Sequence, residues 1–259
     1  MEPMKVFLHL GMGGIVAQCE WVFWEAVGLI VGELGVVALS VHTIPNQTIM
    51  AFCTVPYAFG VAVAIRMGVS LSISVRRTQA IVLVTSGFST ILFGLVSVLV
   101  YVYRDAIIYL FTTDDTVKEL ADLIWWKVSL FNLNVAIFGI LAGIATGLGK
   151  QWSLGIINFV FLWLFALPMI YYTAVVLDQG LNAVWFWMNI PYLCMNITLI
   201  FLFIFTDWYQ IQEKIILASD NKIKQDNNNN DCDDDDGDGD GDDDDQQGIA
   251  LLILESQVK

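Results

Sequence analysis

Cys19-Glu20-Trp21-Val22-Phe23-Trp24-Glu25 sets two carboxylates and two tryptophans inside a mostly apolar run from Val6 to Val31. About 20 such residues cross a bilayer, so the run reads as a membrane span. An ionised carboxylate at membrane depth costs about 2.5 kcal/mol or more on insertion scales, and a chain that keeps one there has a use for it. Glu20 and Glu25 are therefore the first candidates for function. Five residues apart, they differ by about 140° around a regular helix and do not share a face. One is expected to look into a central cavity and the other toward a neighbouring helix. Trp21, Phe23 and Trp24 supply aromatic faces beside them, which favour an organic cation by about 0.5–2 kcal/mol. A buried carboxylate can also hold and release a proton, so proton and cation could compete for one site.

The rest of the chain has the same character. Of its 259 residues 57% are hydrophobic and only 15% charged, against about 25% charged in soluble domains. The formal charge of −14 is uneven: from Asp220 onward there are 14 acidic and 3 basic residues, which leaves a net of only −3 for residues 1–219. The acidity thus describes a tail, and gives no reason to expect a nucleic-acid partner. Apolar runs at roughly 6–32, 36–65, 79–103, 117–145, 152–176 and 181–206 predict six membrane spans, an all-α integral membrane protein. Breaks are expected at Gly32-Glu33-Leu34-Gly35, at a polar loop from Ser70 to Thr78, at Gly147–Gln151 and at Asp178-Gln179-Gly180. Arg104-Asp105 and Thr112–Asp115 bracket a short apolar piece, with Thr113 or Asp114 as the cap of the next helix.

With six spans, Lys5, Arg76, Arg77, Lys150, Lys214, Lys222 and Lys224 fall on one side, and Arg104 and Lys118 on the other. The bias predicts that both termini are cytoplasmic. No basic-then-apolar signal pattern opens the chain at Met1 to Lys5, and the first span is expected to serve as the anchor. Pro45, Pro56, Pro168 and Pro191 lie within spans and mark bends. Gly139, Gly143 and Gly147, four apart, predict a close-packing face. The domain division expected is a lobe over 1–208 and a cytoplasmic segment over 209–259. The latter begins with a short interfacial helix and runs into an Asp/Asn/Gly-rich tail expected to be disordered. Asp236-x-Asp238-x-Asp240-Gly241 opens like a calcium loop, but Gln247 stands where a bidentate glutamate belongs.

Enzymatic chemistry has no support. There is no glycine-rich phosphate loop, no Ser/His/Asp grouping and no zinc spacing, and Cys19, Cys53 and Cys194 read as apolar filler. His42, alone in the second span, reads as a packing residue. No metal or organic cofactor is expected.

Taken together, certain motifs resemble the multidrug and toxin extrusion (MATE) antiporters, in their eukaryotic branch. They are Cys19-Glu20-Trp21…Glu25, then Val55-Pro56-Tyr57-Ala58-Phe59-Gly60 through Arg66-Met67-Gly68, then Phe111-Thr112-Thr113-Asp114. Gly147-x-Gly149-x-Gln151, Asn158, Leu167-Pro168 and Gly180-x-x-x-Val184-Trp185 follow in order. The resemblance covers about residues 5–206 and is to the second, C-terminal six-helix lobe of a twelve-helix fold. It implies exchange of protons, or in some prokaryotic members sodium, for organic cations or other xenobiotics. Family glutamates fall on Glu20 and Glu25, as proton and cation binders, with Trp21, Trp24, Gln47, Asn132 and Asn134 as candidate cavity-lining residues. A further family acid falls on Gln47, and another on Val135, next to Asn134 and near Asn132, which implies altered or reduced coupling. The Arg-x-Gly-Asn-x-Leu-Gly-Ala-Gly run reads Arg66-Met67-Gly68-Val69-Ser70-Leu71-Ser72-Ile73-Ser74, and Thr146 replaces an arginine. Since alternating access needs one half to move against another, a first lobe or a second copy is the implied partner. The alternative expectation is a non-transporting half-protein that binds a partner in the membrane.

Overall fold

The computed structural model describes residues 11, 12, 14–16 and 18–217, and these residues hold six helices long and apolar enough to cross a membrane. We number the elements α1 (Cys19–Glu33), α2 (Val36–Ile73), α3 (Val75–Val102), α4 (Arg104–Phe111), α5 (Asp115–Gly147), α6 (Gln151–Val176), α7 (Gly180–Ile204) and α8 (208–217). There is no strand among the described residues. The chain is an all-α, multi-pass integral membrane protein. The calcium-like window and the acidic tail lie outside the described residues.

Turn chemistry sets most of the boundaries. Gly35, at φ +104°, ends α1 and admits α2 after two residues, a conformation that side chains with a Cβ rarely adopt. Asp114 caps α5, its carboxylate accepting from the backbone N–H of Thr116 at 2.8 Å and of Val117 at 3.4 Å. Asp178 and Gly180, both at positive φ, turn the chain from α6 into α7. One boundary differs from expectation. The polar stretch Ser70–Thr78 is no loop: α2 runs on to Ile73, only Ser74 is extended (φ −160°, ψ 123°), and α3 starts at Val75. Polar residues suit a helix once it has left the hydrocarbon, so polarity there marks the membrane edge and not the helix end.

α5 is the most buried of the six spans and packs most extensively on α2, then on α7 and α3. Its glycines explain the α2 contact. A Cβ at Gly143 would overlap the backbone of Gly60, and one at Gly147 would meet Ala64 Cα at 3.0 Å. The backbones are thus in contact along Gly60 and Ala64 on one side and Gly139, Gly143 and Gly147 on the other, as expected from their spacing. Helix α6 is irregular: Phe159–Ala166 and Tyr172–Val176 are π-helical and flank Pro168. Proline lacks an N–H and crowds the carbonyl four residues back, here Leu164, which lies inside the first widened segment.

Candidate functional site

Glu20 sits near the start of α1 and is only 4% exposed. Its Oε1 accepts two hydrogen bonds, from the hydroxyl of Tyr57 on α2 at 2.7 Å and from the hydroxyl of Tyr192 on α7 at 2.5 Å. Tyr192 in turn accepts from the Trp24 indole N–H at 2.7 Å. One carboxylate oxygen therefore ties three helices together. Both tyrosines directly follow a proline, Pro56 or Pro191, inside a helix.

The glycine seam positions this group. A Cβ at Gly139 would lie 2.9 Å from the Tyr57 ring, so the missing side chain makes the room in which that ring lies. Other rings build a nest on the same pattern. Trp21 packs on Tyr57 at 5.6 Å between centroids, Phe131 on Tyr192 at 5.0 Å and on Trp24 at 5.4 Å, and Phe138 on Tyr192 at 5.5 Å. These edge and tilted contacts fix ring orientation and so aim the hydroxyls. Trp163 of α6 donates its indole N–H to the Cys19 carbonyl at 3.2 Å, which pins the backbone beside Glu20.

Of the sequence candidates, Glu20, Trp21 and Trp24 come together here. Glu25 does not: it is exposed on the outer side of α1, in one stripe with Val22 and Leu29. Gln47 is also exposed, on α2, in a stripe with Ser40, Thr43 and Thr54. Asn132 and Asn134 are buried but bond elsewhere. Asn132 donates to Ser97 on α3 at 3.0 Å, and Asn134 to the Asn189 side-chain oxygen on α7 at 3.1 Å. His42 is buried against the Trp185 ring at 5.3 Å.

Sequence reasoning passed over two features. The spacing pattern assigns Tyr57 and Tyr192 no role, although a phenol within a span needs a polar partner and each follows a proline. It also passed over a heptad of amides: Asn182, Asn189 and Asn196 on α7 face Lys127 and Asn134 on α5. Lys127 donates to the Asn182 carbonyl at 2.9 Å and to its side-chain oxygen. Asn189 donates to the carbonyls of Lys127 and Trp185, at 3.1 and 2.8 Å, and Asn196 to that of Asn134 at 3.0 Å. This seam joins α5 to α7 along one side of the lobe.

A family profile described as MatE matches residues 15–172. The chain belongs to that family. It is 30% identical over 221 residues to an uncharacterized transporter of Schizosaccharomyces pombe, a match covering 83% of this chain and 40% of that protein. It is 26% identical over 208 residues to multidrug and toxin extrusion protein 2 of Oryctolagus cuniculus, covering 78% of this chain and 34% of that one. Its fold is similar to the crystal structure of the eukaryotic MATE transporter AtDTX14, with a TM-score of 0.75 and 21% identity over 81% of this chain and 48% of the other. The bent form of the Vibrio cholerae MATE transporter VcmN is similar at a TM-score of 0.68 and 14% identity, covering 76% of this chain and 45% of the other. The chain thus spans well under half the length of these curated relatives, and somewhat under half of the solved transporters.

Proposed function

We propose that this chain is the second lobe of a MATE-type antiporter that exports organic cations in exchange for protons, with both termini in the cytoplasm. The observation that carries the reading is Glu20, a buried carboxylate whose oxygen receives two tyrosine hydroxyls within an aromatic nest. Ionised, Glu20 is held by these donors and attracts a cation, and the nearby ring faces favour the same charge. Protonated, it loses that attraction while the tyrosines can still donate to its carbonyl oxygen. A proton arriving from outside therefore expels the cation, and release of the proton inside restores the site. Sodium is the secondary choice of coupling ion, because a sodium ion wants several oxygen ligands and Oε1 already serves two donors. Glu25, exposed on α1 with Gln47 exposed on α2, would face whatever completes the cavity, a first lobe or a second copy of the chain.

The test is export of a fluorescent organic cation from vesicles containing the chain under an imposed pH gradient. Gradient-driven export that Glu20→Gln abolishes is the expected result. Export that survives Glu20→Gln refutes the assignment. Wild-type chain that stays folded in the vesicles and moves no cation under the gradient counts against the reading as well.

A further inference from the structure

Two adjoining cavities lie at the end of the lobe where α5 and α7 finish and α6 begins, away from Glu20. The first, a cleft of about 360 Å³, is lined by Lys150, Trp152 and Ser153 at the start of α6 and by Gln210 and Lys214 of α8, with Thr206 and Asp207 between. Neither lysine has a carboxylate partner within 4.0 Å among the described residues. Asp207 is engaged as the cap of α8, its Oδ1 accepting from the backbone N–H of Tyr209 at 3.1 Å and of Gln210 at 3.2 Å. The first turn of α6 opens on the cleft and adds the positive end of a helix.

The second cavity, about 530 Å³, shares Thr206 and Asp207 as a common wall and is apolar. It runs between α3 and α7 along Val82, Leu83, Leu141, Ile200, Phe203 and Ile204. Trp152 lines the first cavity and Trp208 and Tyr209 the second, amphipathic rings of the kind that gather at a membrane surface. A cationic, hydrogen-bonding cleft joined to an apolar groove at that depth matches one molecule in outline.

We propose that these cavities form a site for one anionic phospholipid. Its phosphate lies between Lys150 and Lys214, within reach of the Ser153 hydroxyl, and one acyl chain lies in the groove between α3 and α7. The charge selects against zwitterionic lipid, and the groove selects against free phosphate. The bound lipid bridges α8, the α5–α6 turn and α3.

Native mass spectrometry of the purified full chain tests this, with dioleoyl phosphatidylglycerol, dioleoyl phosphatidylcholine, dihexanoyl phosphatidylglycerol and inorganic phosphate as probes. The expected result is one retained dioleoyl phosphatidylglycerol, favoured over phosphatidylcholine by about tenfold. The double variant Lys150→Gln/Lys214→Gln should lose that preference while keeping its circular dichroism. Val82→Trp, which fills the groove, should weaken the long-chain lipid several-fold and leave the short-chain lipid unchanged. A double variant with wild-type preference overturns the proposal, as does phosphate binding as well as the long-chain lipid. The 14 acids from Asp220 onward are a competing occupant within the chain. If the preference emerges only after aspartates 233–236 and 242–245 are changed to asparagine, the tail fills the cleft and the proposal falls.

Discussion

The Glu20 nest and the asparagine seam are both polar, both buried in an apolar lobe, and built on opposite principles. In the seam, asparagine amides and Lys127 bond across to one another and to nearby backbone carbonyls: Asn189 alone uses its nitrogen twice and its oxygen once. The bonds of Asn134 and Asn189 are between neutral groups and involve no change of charge. In the nest, two hydroxyls converge on one ionisable oxygen, those of Tyr57 and Tyr192, and the Trp24 indole donates to Tyr192 behind them. Buried polar groups that close on themselves fix helix register, whereas a buried carboxylate held only by hydroxyls can gain or lose a proton without breaking the lobe. On the proposed function, the seam is scaffold and the nest is where a proton would be exchanged.

Four changes break or sharpen that contrast. Gly143→Leu forces α2 away from α5 beneath the nest, and should cost about 3 kcal/mol through overpacking, read as a large fall in melting temperature in detergent. Tyr192→Phe removes one donor from Glu20 and leaves the Trp24 indole without its acceptor. It should cost about 2 kcal/mol where Glu20 is ionised. The cost should shrink as pH falls, because a protonated Glu20 needs its donors less, and melting curves across a pH series measure this. Asn189→Leu should cost about 1 kcal/mol, in the range of interhelical hydrogen bonds in membranes, with no pH dependence and no change in cation affinity. Glu25→Gln, on an exposed face, should change stability by less than about 0.5 kcal/mol. Equal pH dependence for Tyr192→Phe and Asn189→Leu would erase the distinction between the two regions.

The six spans were legible because turn residues punctuate them: Gly35, Asp114 and Gly180 each end or start a helix by local chemistry alone. Helix ends beyond the hydrocarbon were less legible, as Ser70–Ile73 illustrates, since polarity there follows the membrane edge. Glu20 announced itself by its cost at depth. Its partners did not, because Tyr57 and Tyr192 lie 37 and 172 residues away and a one-dimensional pattern carries no record of which helices meet. Glycines at 139, 143 and 147 predicted a close approach. That Gly139 makes room for the ring of Tyr57, and so aims a hydroxyl at Glu20, follows only from the packed lobe.

The central claim is that proton and organic cation compete for Glu20. It is tested most directly by proton release on cation binding, followed with a pH indicator on the purified chain in weakly buffered solution near neutral pH. Binding should release protons from the wild type and from Glu25→Gln, and release should vanish in Glu20→Gln. Undiminished release from Glu20→Gln, or cation binding to the wild type with no release at any pH, would contradict the account.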